Sequence, residues 1–337
     1  MSVIVAGVDE AGYGPLLGPL CVGVTGFRVH GWSPGDPAPD LWRLLRPAVC
    51  EKPNDPKQRL PVADSKKLKG SNQLKRRHPL CHLERSVLAF MRTMGVDACD
   101  DCGLFTALGV ACGDEPWHAG RVALPLDGPM ERVGIDAAML RRAMFEAGVE
   151  PLVMRCRVVR EAAFNATVRR TGTKASTTMG AVAAHLRQAA LTWRGEHVRF
   201  VCDRLGGRTR YGGVLERAFG KIDGRLGGAT VEALEETERV SVYEIRFGAG
   251  VSGEGDGGSF RVLFMPEAER QHLPVALASM TAKLVRELAM ARFNAYWAGV
   301  LGEIKPTAGY TTDARRWLTE AGDRIDPGTR SRLMRIS

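Results

Sequence analysis

Val3-Ile-Val-Ala-Gly-Val-Asp-Glu-Ala-Gly-Tyr-Gly-Pro15 is the stretch on which the reading of this chain turns. Its first six residues are an apolar run that reads as a buried strand. The run ends in two adjacent carboxylates, Asp9 and Glu10, and a glycine-rich turn follows at once. Two bare acids beside a buried strand are costly unless positive charge stands with them. Hard divalent cations are the usual partner, because they prefer carboxylate oxygens. Acid pairs also end strands as plain solvated turns, so the weight falls on other acids in the chain.

Working outward, residues 3–8 and about 20–29 read as two strands joined by the Gly/Pro-rich turn Gly12 to Pro19. Residues 31–60 are rich in proline and charge and read as a loop excursion. Ser71 to Met94 reads as a helix, and residues 95–135 as an insertion with short elements. Asp136 to Ala147 reads as a helix and Pro151 to Val159 as a strand. Thr177 to Trp193 is an alanine-rich helix, and Val198 to Cys202 is a strand ending on Asp203. Val240 to Phe247 and Phe260 to Met265 are strand-like, on either side of a glycine-rich loop from Gly248 to Gly258. Leu273 to Val300 is the longest helix, with small residues on one side for close packing, and a short helix follows Thr312. Strands first, then helices alternating with strands, imply an α/β domain with a mixed sheet.

The 337 residues are enough for a large core. No apolar stretch approaches the length of a membrane span. The chain opens on strand-like sequence with no basic region and no cleavable apolar segment, so a cytoplasmic address is expected. Net charge is +9, which favours polyanionic partners, nucleic acid first. Basic residues cluster at Lys66, Lys67, Lys69, Lys75, Arg76 and Arg77, and again from Arg155 to Lys174; the plain alternative is a set of solvated faces. Eight cysteines without a secretory signal point to free thiols. Cys99-x-x-Cys102 with Cys112 and His118 offers a zinc alternative, weakened by loose spacing and the lack of a second tight pair.

Asp203 stands where a strand gives out, the usual place for catalytic groups in α/β proteins. Glu287 lies in the longest helix among small and apolar residues; its plain reading is a helix salt bridge to Lys283 or Arg286. Asp9, Glu10, Asp203 and Glu287 are therefore read as one four-carboxylate cluster. Four acids cannot crowd together without cations, since like charges raise one another's pKa values. Two Mg²⁺ or Mn²⁺ ions about 3.5–4 Å apart would neutralise them and form a phosphodiesterase centre.

At this point the sequence resembles the type 2 ribonucleases H, ribonucleases HII and HIII. The resemblance rests on five segments in the family's order: Asp9-Glu-Ala-Gly-x-Gly-Pro15, Asp64-Ser-Lys-Lys-Leu68, Asp203 at a strand end, Val275 to Glu287, and Gly309-Tyr-Thr-Thr312. It implies a ribonuclease-H-like mixed sheet flanked by helices, with a helical C-terminal segment at 301–337 and insertions near 31–60 and 95–135, forming one catalytic domain. It implies hydrolysis of the RNA strand of RNA–DNA hybrids, or of ribonucleotide-containing duplexes, with Mg²⁺ or Mn²⁺, leaving 5′-phosphate and 3′-hydroxyl ends. Asp9 matches the acid that bridges both metals, and Glu10, Asp203 and Glu287 match further ligands. Gly12, Tyr13 and Gly14 match a motif whose backbone approaches the scissile region. Ser65, Lys66 and Lys67 match a phosphate-binding segment, and Tyr310 a tyrosine that packs on the neighbouring nucleotide. Asn165 is a further match, to a polar contact. Two departures stand out: Tyr13 replaces the family's Arg or Lys, and Glu287 stands where ribonuclease HII has Asp. They motivate the alternative of a nucleic-acid-binding protein of the same fold with weak or altered cleavage.

Overall fold

A computed structural model describes residues 1–70, 77–111, 113–219, 229–247 and 258–336. Strands β1 (Ser2–Ala11), β2 (Leu20–His30), β5 (Val149–Val159), β6 (Val198–Asp203), β7 (Thr230–Glu236), β8 (Ser241–Arg246) and β9 (Phe260–Met265) form one sheet in the order β5-β2-β1-β6-β9-β8-β7. β1 pairs parallel with β6, and β6 with β9; the outer pairings are antiparallel. The mixed sheet expected from the sequence is thus present. A two-residue ladder joins β3 (Val49–Cys50) to β4 (Leu60–Pro61).

Alternation along β1 decides the layers, since successive side chains point to opposite faces of a sheet. Val3 and Val5 enter one core with the first half of the long helix, while Ile4, Ala6 and Val8 enter the other. That long helix is α9 (Leu273–Leu301), the last of a series made up of α1 (Leu41–Leu44), α2 (Ser65–Leu68), α3 (Cys81–Thr93), α4 (Asp101–Ala107), α5 (Met130–Glu146), α6 (Glu161–Thr171), α7 (Ala175–Thr192) and α8 (Gly212–Phe219). The alanines of α7 cover the face opposite α9. α9 is buried almost without break from Leu273 to Leu288, and it lies directly on β1 and β2. Two glycines permit this approach: a Cβ at Gly7 would collide with the backbone of Val275, and one at Gly23 with the carbonyl of Ala278. α10 (Thr311–Ala321) and α11 (Pro327–Leu333) complete a helical C-terminal part, whose core gathers Trp117, Phe293, Trp297 and Trp317.

Several boundaries differ from the sequence reading. The helix expected from Ser71 begins at Cys81; residues 71–76 lie outside the described residues, and Pro79 disfavours helical geometry at His78. The helix expected from Asp136 starts at Met130, just after Pro129, so the end of the 95–135 segment is helical. The excursion at 31–60 carries α1 and the small ladder. The glycine-rich stretch from Gly248 falls, but for Gly258, outside the described residues. Among the described residues no helix is long and apolar enough to cross a membrane.

Candidate functional site: an acid cluster at the strand ends

Strand register brings the first three acids together. Val8 of β1 pairs with Cys202 of the parallel strand β6, so the next residues, Asp9 and Asp203, end up side by side. Asp203 in turn pairs with Met265 at the end of β9. The chain then turns at once into a short 3-10 helix, Ala268–Arg270, whose Ala268 N–H donates to Asp203 Oδ1 at 3.0 Å. That turn carries Glu269. The side of the cluster nearest α9 is held by hydroxyls: Ser279 bonds the Asp9 carboxylate, and Ser65 Oγ lies 3.0 Å from Ser279 Oγ.

The acids lie near enough for their charges to bear on one another. Burial, then the charges of Glu10 and Asp203, push the Asp9 carboxyl well above its ordinary value. Burial and Asp203 push Glu10 from 4.5 up to about 7. Asp203 is raised mainly by burial, against two backbone N–H donors that favour its charge. Glu269 is raised by burial and by the negative charges of Asp203 and Asp64. Lys66 is the cation that offsets Glu10, Asp203 and Glu269 alike. Among the described residues, four carboxylates offset by Lys66 leave an all-oxygen, negatively charged site, the donor set that hard divalent cations take.

Glu287 does not belong to this set, which corrects the expected cluster. It sits eight residues beyond Ser279 on α9, a rise of about 12 Å. Its carboxylate is already paired, with Lys283 Nζ at 2.9 Å and Lys69 Nζ at 3.0 Å. Burial would raise its pKa, but these two lysines outweigh it and hold the group below its ordinary value. The acid that takes part in the cluster is Glu269, which was not singled out in the sequence. The signal was available: Glu267 and Glu269 follow a strand as directly as Asp203 does, on the strand next to it.

The remaining expected residues fall into two groups. Asp64 caps α2 by accepting from Lys66 N–H at 2.9 Å, which sets Ser65 inward and leaves Lys66 and Lys67 exposed. Tyr310 lies beyond the acids, where the Arg286 guanidinium is 5.2 Å and Lys283 Nζ 5.7 Å from its ring centroid. Lys283 Nζ also donates to the Tyr310 hydroxyl at 3.4 Å. The Gly12–Gly14 turn adjoins this group, because a Cβ on Gly12 would strike Arg286. Tyr13 and Tyr310 are both exposed, at 41% and 46%. Asn165 serves the fold instead of a ligand: its amide donates to Met334 O and its carbonyl accepts from Ile336 N–H.

Of the groups in the zinc alternative, Cys102 and His118 face other partners, and Cys99 is exposed. Cys112 lies outside the described residues. Asp100, Asp101 and Cys102 place three ligand atoms within 4.8 Å of one another. Guanidinium groups occupy that spot: Arg292 Nε is 2.6 Å from Asp101 Oδ2, Arg292 Nη2 is 3.1 Å from Cys102 Sγ, and Arg121 Nε is 3.3 Å from Asp100. His118 faces Glu161 at 3.7 Å.

No family model and no curated protein matches this chain. Among solved structures it is similar to a chain of the PCNA:RNase HII complex from Archaeoglobus fulgidus, at 16% identity and a TM-score of 0.42, covering 99% of this chain and 94% of that one. It is also similar to ribonuclease H2 from Pyrococcus horikoshii, at 14% identity and a TM-score of 0.41, covering 93% and 83%.

Proposed function

We propose that the chain is a metal-dependent endonuclease of the ribonuclease HII/HIII type, cutting the RNA strand of RNA–DNA hybrids. The observation that carries this reading is the convergence of Asp9, Glu10, Asp203 and Glu269, from two neighbouring strand ends and the turn after a third, near Lys66. Those four carboxylates would hold Mg²⁺ or Mn²⁺. Bound there, the ions supply water activation and neutralise charge on the phosphodiester. The protein's own groups do the rest. Lys66 stands exposed beside the acids and Lys67 is exposed next to it in the chain, where both would attract phosphates without regard to sequence. Exposed Tyr13 and Tyr310 offer aromatic faces to a sugar or base. The Gly12–Gly14 backbone, free of side-chain bulk at two of three positions, allows the close approach that sensing a 2′-hydroxyl requires.

Purified protein with Mn²⁺ or Mg²⁺ is expected to cut the RNA strand of a hybrid, and EDTA to stop it. Asp9→Asn is expected to keep hybrid binding and to lower the cleavage rate by at least about a thousandfold, as loss of a group central to the metal site does. The two are checked by gel cleavage assays and fluorescence anisotropy. The neutral Tyr13 favours a second reading, binding without the standard cleavage; failure to cut an all-RNA strand, four ribonucleotides or one, with either metal, decides for it.

A further inference from the structure

The turn after β1 is held from beneath by a residue far away in sequence. Arg335, only 2% exposed, reaches under residues 12–18. Its Nη1 donates to Gly12 O at 2.5 Å and to Gly18 O at 3.4 Å, and its Nη2 donates to Tyr13 O at 2.8 Å. The guanidinium stacks on Phe164 at 3.8 Å. The strand-like segment that carries it is itself anchored: Leu17 bridges to Met334, Arg335 N–H donates to Leu16 O, and Asn165 clasps the residues on either side.

This arrangement fixes which way the turn faces. The Gly12–Tyr13 and Tyr13–Gly14 peptides are trans, so each N–H points opposite to its own carbonyl. With both carbonyls turned down onto one buried guanidinium, the N–H groups of Tyr13 and Gly14 face away from it. Both residues are exposed, and neither N–H has a partner among the described residues. A carbonyl that accepts from a cation also polarises its own peptide and makes the opposite N–H a stronger donor. A second buried guanidinium adjoins Gly12: Arg286, 0% exposed, donates from Nη2 to Ala308 O at 2.8 Å and lies 3.6 Å from the Glu287 carboxylate, while its Nε has no hydrogen-bond partner among the described residues. Two consecutive outward amides over buried positive charge form a receptor for an anionic oxygen. Tyr13 contributes no charge at this point, so the charge comes from below.

We propose that Arg335 is a positioning residue for the substrate strand: it orients and polarises the Tyr13 and Gly14 amides toward a backbone phosphate. This rests on the hybrid-cleaving reading for its kinetics but not for its binding. The test uses the full chain as wild type, Arg335→Ala, Arg335→Lys and, as an exposed control from the same region, Arg332→Ala. Affinity for an RNA–DNA hybrid is measured by anisotropy in EDTA, KM and kcat with Mn²⁺, and thermal melting for each variant. Arg335→Ala is expected to raise Kd and KM about tenfold with a smaller change in kcat, Arg335→Lys to recover part of that loss, and Arg332→Ala to match wild type. Folded Arg335→Ala with Kd and KM within twofold of wild type overturns the proposal. So does a fall in kcat that tracks lost thermal stability while KM stays fixed, the mark of a merely structural role. Should Arg335→Ala fail to fold, Arg335→Lys decides, because it keeps the charge but loses the two-pronged grip: a KM like that of wild type is then the overturning result. Should the wild type cut no hybrid, the cleavage reading fails on its own, and the Kd comparison in EDTA still decides the role of Arg335.

Discussion

Glu269 and Glu287 are the same side chain put to opposite uses by their neighbours. Around Glu269 the charges are mostly negative, so it gains from a cation that the protein does not supply. Around Glu287 two lysines already do so, and they keep it ionised without any metal. Glu269→Gln is expected to weaken Mn²⁺ binding and to lower cleavage about a hundredfold or more. Glu287→Gln is expected to leave Mn²⁺ affinity within about twofold, since no metal contact is lost. Calorimetric titration with Mn²⁺ distinguishes the two; a large loss in Glu287→Gln restores the cluster first read from the sequence. That reading failed at this residue because a carboxylate on a small-residue helix looks alike whether lysines or metals await it. Lys69 is 218 positions away in the chain, and no local pattern reports such a contact.

At the scale of elements, the seat of α9 on β1 and β2 places Ser279 at Asp9 and so sets one wall of the site. Gly23→Ala is expected to destabilise the protein by about 1–3 kcal/mol or more, since the new methyl meets helix backbone that cannot move aside. Gly14→Ala, with open space around its Cα and no left-handed backbone, is expected to change stability by less than about 0.5 kcal/mol. Urea unfolding of both variants checks the pair; equal midpoints would refute the close seat of α9. The core strands and α9 were legible from apolar runs and spaced alanines. β7 was not: Thr230–Glu236 is an exposed edge strand rich in glutamate, with no buried face to impose a period of two. Nor was α6, whose Glu161–Thr171 sequence mixes polar and small residues without a clear stripe.

For the whole molecule, the crowded acids make stability depend on pH and on metal. Asp9, Glu10, Asp203 and Glu269 all have folded pKa values above their ordinary ones. A raised acid stabilises the fold below its unfolded pKa, and that contribution disappears as pH rises through its folded pKa. Metal-free protein is therefore expected to lose stability as pH rises from about 4.5 to 7. At about 1.4 kcal/mol per pH unit, the shift of Glu10 alone amounts to roughly 3 kcal/mol at most. Mn²⁺ or Mg²⁺ is expected to raise the melting temperature more at pH 7 than at pH 5, when the acids are protonated and bind metal poorly. A melting temperature flat across this range in EDTA, and unmoved by metal, would count against the cluster. The amino-acid sequence determined the buried strand ending in Asp9 and Glu10, the second strand ending in Asp203, the long close-packed helix and the basic segment at Lys66, because burial, turn chemistry and small-residue spacing are local and periodic. Only the tertiary structure decided between the two readings of Glu287, by bringing Lys69 to it beside its helix neighbour Lys283, and showed that Glu269 joins the acids and that Arg335 lies beneath the Gly12 turn. Those choices depend on which charges meet after the sheet has closed its register and α9 has docked, and charge partners far apart in the chain leave no period along it.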